Sequence, residues 1–294
     1  MKVAKFGGTS VGSPEAIRAL VGIVRDRGQS VVVVSALSGV TDALIGTAKA
    51  AAARDPSWVS RFEELGDRHR TMLAAVTNRA AIGAAPASAT SEAADRIEAL
   101  LGELLEVLTG IKALRELSAR TLDLAMSFGE RLSSVVVAAA FRAAGIDSIP
   151  VDARALIVAE GDFGNARPLS EATVSAMKSR LFPRENGARG ASAQGSSPLP
   201  VVTGFIASTT AGATVTLGRG GSDYTAAIIG AVLGADEVEI WTDVDGILTA
   251  DPRKVPDAFS LDSLSYEEAM ELSHFGAKVI YPPTIQPALE RGIP

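Results

Sequence analysis

The chain has 294 residues, 47% of them hydrophobic and 21% charged, enough apolar content to bury a large core and unlike a disordered composition. It carries 28 basic against 34 acidic side chains, a net charge of −6, with no cysteine and two histidines. These counts argue against nucleic-acid binding as the main role and exclude disulfides, thiolate metal sites, thiol catalysis and a histidine-rich metal site. The length fits one or two domains. Met1 to Gly7 is too poor in apolar residues for a signal peptide, and no apolar run approaches a membrane span, Val135 to Phe141 being typical of the longest. The expectation is a soluble cytoplasmic protein with neither nucleic-acid nor membrane partners.

Val3 to Phe6 reads as a short strand stopped by Gly7 and Gly8. Ser13-Pro14-Glu15 marks a helix start: a capping hydroxyl, proline at the first helical position, then an acid in the first turn. Ile17, Leu20, Val21 and Val24 recur on one helix face, and Gly28 ends it. Val31 to Val34 is a continuous β-branched run, the pattern of a parallel strand buried on both faces. These pieces make a βαβ unit with glycine-bearing loops after the strands, where open α/β sheets hold ligands. A helical stretch follows, with breaks near Asp55-Pro56 and Ala85-Pro86 and an amphipathic stripe from Leu100 to Leu108. Ser118 to Ala144 is expected to be helical with an interruption near Gly129, and Ser148 to Val151 to be a strand. Pro183 to Pro198, dense in Gly, Ser, Ala, Arg and Pro, reads as a flexible surface loop. The α/β pattern then restarts, with strands over Pro200 to Ile206 and Thr214 to Leu217 and a helix capped by Ser222 that runs to Leu233. A strand over Glu237 to Trp241 and helices over Tyr266 to Ser273 and from Lys278 onward complete it. Arg291-Gly292-Ile293-Pro294 reads as a break in mid-pattern, the boundary of a piece of a longer protein.

Three segments carry chemistry. In Lys5-Phe6-Gly7-Gly8-Thr9-Ser10-Val11-Gly12, glycines directly after a buried strand let successive N–H groups face an anion, with Lys5 adding charge; an ordinary βα turn is the plainer alternative. In Gly218-Arg219-Gly220-Gly221-Ser222-Asp223-Tyr224-Thr225, a helix start offers free N–H donors and Arg219 a two-pronged clamp for a carboxylate or phosphate. A tight turn accounts for those glycines but not for the arginine between them. In Trp241-Thr242-Asp243-Val244-Asp245-Gly246, followed by Asp251-Pro252-Arg253, acids after a strand suit Mg²⁺, a nucleotide's base and ribose, or simply an Asp-Gly turn. No Walker loop, H-R-D catalytic-loop motif or G-x-G-x-x-G fingerprint is present.

The first two of these segments, with Val34-Ser35-Ala36, Ser127-Phe128-Gly129-Glu130-Arg131, Trp241 to Gly246 and Phe275-Gly276-Ala277-Lys278-Val279, closely resemble the catalytic domain of aspartokinases, in the amino acid kinase family, over nearly the whole chain. The resemblance implies ATP- and Mg²⁺-dependent phosphorylation of the side-chain carboxylate of L-aspartate, giving 4-phospho-L-aspartate and ADP, the first step towards lysine, threonine and methionine. It implies an α/β fold, a three-layer αβα sandwich around a mainly parallel sheet of about eight strands. A lobe over about residues 1–200 would hold aspartate and one over about 201–294 would hold ATP.

Carried over residue by residue, the resemblance makes Lys5, Asp223 and Lys278 the catalytic groups. Phe6, Gly7 and Gly8 would line the phosphates; Thr242, Asp243, Leu248, Arg253 and Lys278 would bind ATP. Ser35, Thr41 and Ser222 would lie at the substrate, Glu130 would receive its ammonium and Arg219 its carboxylate. No residue stands out as a metal ligand. His69, His274, Trp58 and the Leu100 to Leu108 stripe read as structural. Departures are Leu248, where many relatives carry an aromatic, and the apparent insertion at Pro183 to Pro198. Relatives usually continue into regulatory domains or a fused homoserine dehydrogenase, and Tyr266 to Ser273 is similar to the fused type. A nucleotide- and amino-acid-binding domain inactive without a further C-terminal part is the second reading, and self-association is left open.

Overall fold

The computed structural model describes residues 1–78, 87–181, 197–244, 246–251, 253–274 and 281–294. Strand β1 (Lys2–Phe6) leads through the first glycine loop to helix α1 (Pro14–Arg27), which Ser13 caps by accepting the Ala16 N–H and which Gly28 closes in the left-handed conformation. Strand β2 (Val31–Val34) pairs parallel with β1, Val3 opposite Val31 and Lys5 opposite Val33. Helices α2 (Val40–Ala52), α3 (Ser57–Val76) and α4 (Ala87–Leu114) follow, α2 and α3 parting at Asp55-Pro56 as expected. The second expected break, at Ala85-Pro86, and nearly all of the loop from Pro183 to Pro198 lie outside the described residues.

Helix α5 (Ala119–Ala143) runs without the interruption expected at Gly129. That glycine is a packing requirement: a Cβ there would lie 2.8 Å from the Ala36 Cβ, so the helix and the loop after β2 approach closer than any side chain allows. Among the described helices α5 alone has the length and apolar composition to cross a membrane, which the run-length reading missed, but 94% of that window is buried inside the protein. It is the central core helix.

Strand β3 (Ser148–Val151) is followed by a 3-10 turn (Ala153–Ala155), strands β4 (Ala159–Glu160) and β5 (Arg167–Pro168) and helix α6 (Ser170–Arg180). Strands β6 (Leu199–Thr203), β7 (Ile206–Ser208) and β8 (Thr214–Thr216), helix α7 (Gly221–Leu233), strand β9 (Glu237–Trp241) and helices α8 (Tyr266–His274) and α9 (Pro282–Leu289) complete the chain.

The central sheet among the described residues has five strands in the order β3-β6-β2-β1-β9, every pair parallel, rather than about eight. The difference lies in β4–β5 and β7–β8, which pair antiparallel as short ribbons of their own. The single strand expected over Pro200 to Ile206 divides at Gly204-Phe205. There Phe205 takes φ +68°, and Gly204 runs so close to α7 that a Cβ would meet Ser222 at 2.5 Å. The corner carries the chain out of the sheet into the ribbon with β8.

Both faces of the sheet are buried. Ala4, Phe6, Val32, Val34 and Val201 join one apolar core with α1 to α5, while Val3, Val31, Val33 and Val202 join another with Leu156, Ile206, Val215 and the apolar face of α7. Alternation along each strand divides these two cores, which makes the three layers. All five strands point the same way, so the loops after β1, β2 and β9 open on one edge.

Candidate active site

A cavity of about 560 Å³ lies at that edge, within the usual range for small-ligand sites. The end of β1 and the loop after it contribute Lys5, Gly7 and Gly8, the loop after β2 contributes Ser35 to Gly39 with Thr41 from the first turn of α2, and the turn into α7 contributes Gly218 to Asp223. Lys5 leaves the strand end almost fully buried, and its Nζ lies 2.7 Å from Asp223 Oδ1. Gly7 and Gly8 keep this corner open: Cβ atoms there would stand 3.4 Å from Lys5 Nζ and 3.2 Å from the Ala36 carbonyl oxygen.

Helix α7 begins at Gly221 behind Gly220, which sits at φ +68°. Ser222 is therefore inside the first turn and is not the cap that the sequence suggests. Its hydroxyl oxygen accepts from Ser35 at 3.0 Å, joining the loops after β2 and β8. Helix α2 likewise starts behind a left-handed glycine, Gly39, and neither helix has a side-chain cap. Two helix N-termini with free N–H groups thus border one cavity, an arrangement suited to an anion.

Glu130 reaches the cavity from α5 and is 3% exposed. Its Oε1 accepts the Ala36 N–H at 3.2 Å, while Oε2 is buried without a partner. Burial pushes its carboxyl up from 4.5 to about 8, against the pull of the Ala36 bond. An incoming cation would satisfy the free oxygen and ionise the group. Across the cavity Arg219 is exposed, its guanidinium 5.6 Å from the Tyr281 ring centroid. One acidic and one basic group, with Lys5 and the N–H donors beside them, match a zwitterion next to a phosphate chain.

A sequence model of the amino acid kinase family matches residues 1–294. The chain belongs to the amino acid kinase family. It is similar to lysine-sensitive aspartokinase 3 of Escherichia coli, 36% identical over 293 residues that cover 99% of this chain and 60% of that protein. The chloroplastic bifunctional aspartokinase/homoserine dehydrogenase 1 of Arabidopsis thaliana is 34% identical over 294 residues, 99% of this chain and 30% of that protein. A solved structure of E. coli aspartokinase III in complex with aspartate and ADP matches with a TM-score of 0.83 at 33% identity, over 100% of this chain and 60% of that one. The chain spans less than two thirds of the length of these relatives.

In this member of the family the cavity gathers Lys5, Gly7, Gly8, Ser35, Thr41, Glu130, Arg219, Ser222, Asp223 and Thr242. Phe6 does not line it: the ring is buried and stacks on Trp241 at 6.1 Å, while the Phe6 carbonyl accepts the Ser35 N–H at 3.1 Å and aligns the two loops. Asp243, Leu248 and Arg253 lie beyond the lining. Asp243 accepts from the Thr242 hydroxyl at 3.1 Å, Leu248 bridges to Ser260, and Arg253 is paired with Asp251 at 3.2 Å. Lys278 and its motif lie outside the described residues. Sequence reasoning passed over Thr9, Ser38, Asp42 and Phe205, which also line the cavity. Their signal was adjacency to the two glycine loops and to the corner after β6. His69 is a core residue as expected: its Nδ1 lies 2.7 Å from the Leu65 carbonyl, and burial pushes the ring down to about 4.

Proposed function

We propose that this chain is the catalytic domain of an aspartate kinase, which moves the γ-phosphoryl group of ATP to the side-chain carboxylate of L-aspartate. One observation carries the reading: the unpartnered Glu130 oxygen, Arg219 and the Lys5–Asp223 pair converge on one cavity between two uncapped helix N-termini. The family and the E. coli relative solved with aspartate and ADP support it. Glu130 takes the α-ammonium and Arg219 the carboxylate, with Ser35, Thr41 and Ser222 beside the side chain. Lys5, Lys278 and the Gly8 N–H neutralise the phosphates, the Gly7 N–H being engaged by the Trp241 carbonyl at 3.2 Å, and Asp223 holds Lys5 in place. Thr242, Asp243, Leu248 and Arg253 form the nucleotide end. Residues from about 1 to 200 supply most of the amino-acid end and those from about 201 to 294 most of the nucleotide end, with Arg219 and Ser222 reaching across.

The chemistry asks little covalent work of the protein. A side-chain oxygen of aspartate attacks the γ-phosphorus, the bond to the bridging oxygen breaks, and ADP leaves with that electron pair. The nucleophile has a reference pKa of about 3.9 and is ionised at neutral pH, so no general base is needed. Among the described residues there is no cluster of three acidic or histidine side chains to cage a metal. That suits Mg²⁺, which enters on the phosphates, keeps several waters and needs one or two carboxylates; Asp223, at the glycine loops, is the one that would share it. The ion's charge would offset that of the phosphates during transfer.

The test is ADP release by the chain with ATP, Mg²⁺ and L-aspartate, trapping the acyl phosphate with hydroxylamine. Aspartate-dependent hydroxamate is the expected outcome. Nucleotide binding by calorimetry without turnover would reduce the chain to a binding domain.

A further inference from the structure

Asp123 lies on α5, two turns before Glu130 and on the same side of the helix. It has no part in the chemistry described above, yet it is a carboxylate only 1% exposed. Its Oδ2 accepts the Gly164 N–H at 2.8 Å and the Thr216 N–H at 2.9 Å, and its Oδ1 accepts the Thr216 hydroxyl at 3.0 Å. A buried carboxylate is costly unless its lone pairs are filled, and here donors from two separate segments fill them.

Both segments lead to Arg219. Thr216 ends β8, the Leu217 N–H continues onto the Phe205 carbonyl at 2.8 Å, and Gly218 opens the turn that carries Arg219. Asn165, next to Gly164, presses on that turn so closely that a Cβ on Gly218 would lie 2.6 Å from the Asn165 Oδ1. The other end of β8 is also tied to α5. Arg131 lies 3.7 Å from Asp152, Asp152 holds Arg154 at 2.6 Å, and Arg154 donates to the Thr214 hydroxyl at 3.0 Å. One helix therefore presents Glu130 to the cavity and anchors the strand that delivers Arg219.

We propose that Asp123 is a positioning residue for amino-acid recognition, setting the separation of Glu130 and Arg219 so that one ligand can meet both. The inference rests on the reading of the cavity as an aspartate site. Rates of ADP release by the full chain, with aspartate and ATP varied separately, test it. Asp123→Ala is expected to raise the aspartate KM about tenfold or more and to keep the ATP KM within about twofold, because a displaced clamp weakens only the ligand it grips. Asp123→Asn can leave an oxygen on the two N–H groups and turn its amide towards the Thr216 hydroxyl, so it should recover most of the aspartate affinity. Thr216→Val removes the hydroxyl bond alone and should raise the aspartate KM a few-fold with the same selectivity, an arm that serves if the alanine variant does not fold. Equal rises in both KM values, or a loss confined to kcat, would make Asp123 a merely structural group and overturn the proposal. An unmodified chain with neither aspartate-dependent turnover nor aspartate binding by calorimetry would instead overturn the reading of the cavity, and the inference with it.

Discussion

Glu130 and Arg253 are both ionisable groups assigned to a ligand, yet they stand in opposite surroundings. Glu130 is sealed into the junction of α5 and the β2 loop with one oxygen left over, whereas the Arg253 side chain is 86% exposed and pairs with its near neighbour Asp251. The same contrast separates the two ends of the cavity. Lys5, Ser35, Ser222 and Asp223 are linked across the chain by short contacts, while Thr242 and Asp243 are exposed and bond to each other. A group buried before the ligand arrives is preorganised, Lys5 as one half of an ion pair and Glu130 as a carboxyl that an arriving cation ionises; an exposed group must shed water when the ligand arrives. The amino-acid end should therefore be rigid and selective, and the nucleotide end should be shaped by what it binds.

The largest effect should come from the buried pair. Lys5→Ala is expected to lower kcat by about 10²–10³-fold, the usual consequence of deleting one preorganised charge from a transferring group; a loss under about tenfold in steady-state rates would remove Lys5 from the chemistry. Next, Arg219→Ala should raise the aspartate requirement, weakening its binding by about 2–3 kcal/mol, and leave the ATP requirement unchanged, as substrate titrations would reveal. Gly129→Ala should cost about 1–3 kcal/mol in urea unfolding because its Cβ has no room beside Ala36. Gly102→Ala on α4, where nothing lies within 4 Å, should instead stabilise by up to about 1 kcal/mol.

The pH dependence of stability sharpens the contrast further. The Glu130 carboxyl sits at about 8 in the folded protein against 4.5 unfolded, so across that window the folded state binds the extra proton. This group makes stability fall as pH rises from 4.5 to 8, and Glu130→Gln should flatten that slope in unfolding measured at several pH values. Smallest of all, Arg253→Ala should raise the ATP requirement by no more than about fivefold, the worth of an exposed charged contact. A larger rise would mean that the nucleotide end is as firmly built as the other.

The parts of this arrangement that are local in sequence were legible in it. The cap at Ser13, the glycine stop at Gly28 and the apolar run of β2 each announce themselves within a few residues, and Lys5, Ser35 and Thr41 lie at or beside the ends of these elements. Features set by two distant segments meeting were not. Gly129 looks like a helix break because glycine weakens helices in isolation, and only the proximity of Ala36 explains it. Ser222 looks like a cap because the left-handed turn at Gly220 cannot be seen in a sequence. Helix α6 escaped notice because it buries only Thr173 and Met177 and shows no apolar stripe. Asp123 has no motif around it; its importance lies in donors at Gly164 and Thr216, far along the chain.

The parallel sheet also imposes a timetable. Strand β1 pairs with β2 a short way downstream, but its other edge meets β9, Lys2 opposite Glu237, and Lys5 meets Asp223. At ribosomal speeds of about 5–20 residues per second, roughly 10–40 s separate the synthesis of Lys5 from that of Asp223. During that interval the nascent chain carries an unpaired strand edge and a lysine without its counter-charge. Premature release or a stalled ribosome would leave that edge open to other chains, so the protein's yield in a cell should depend on chaperones that shield the first strand until the last one arrives.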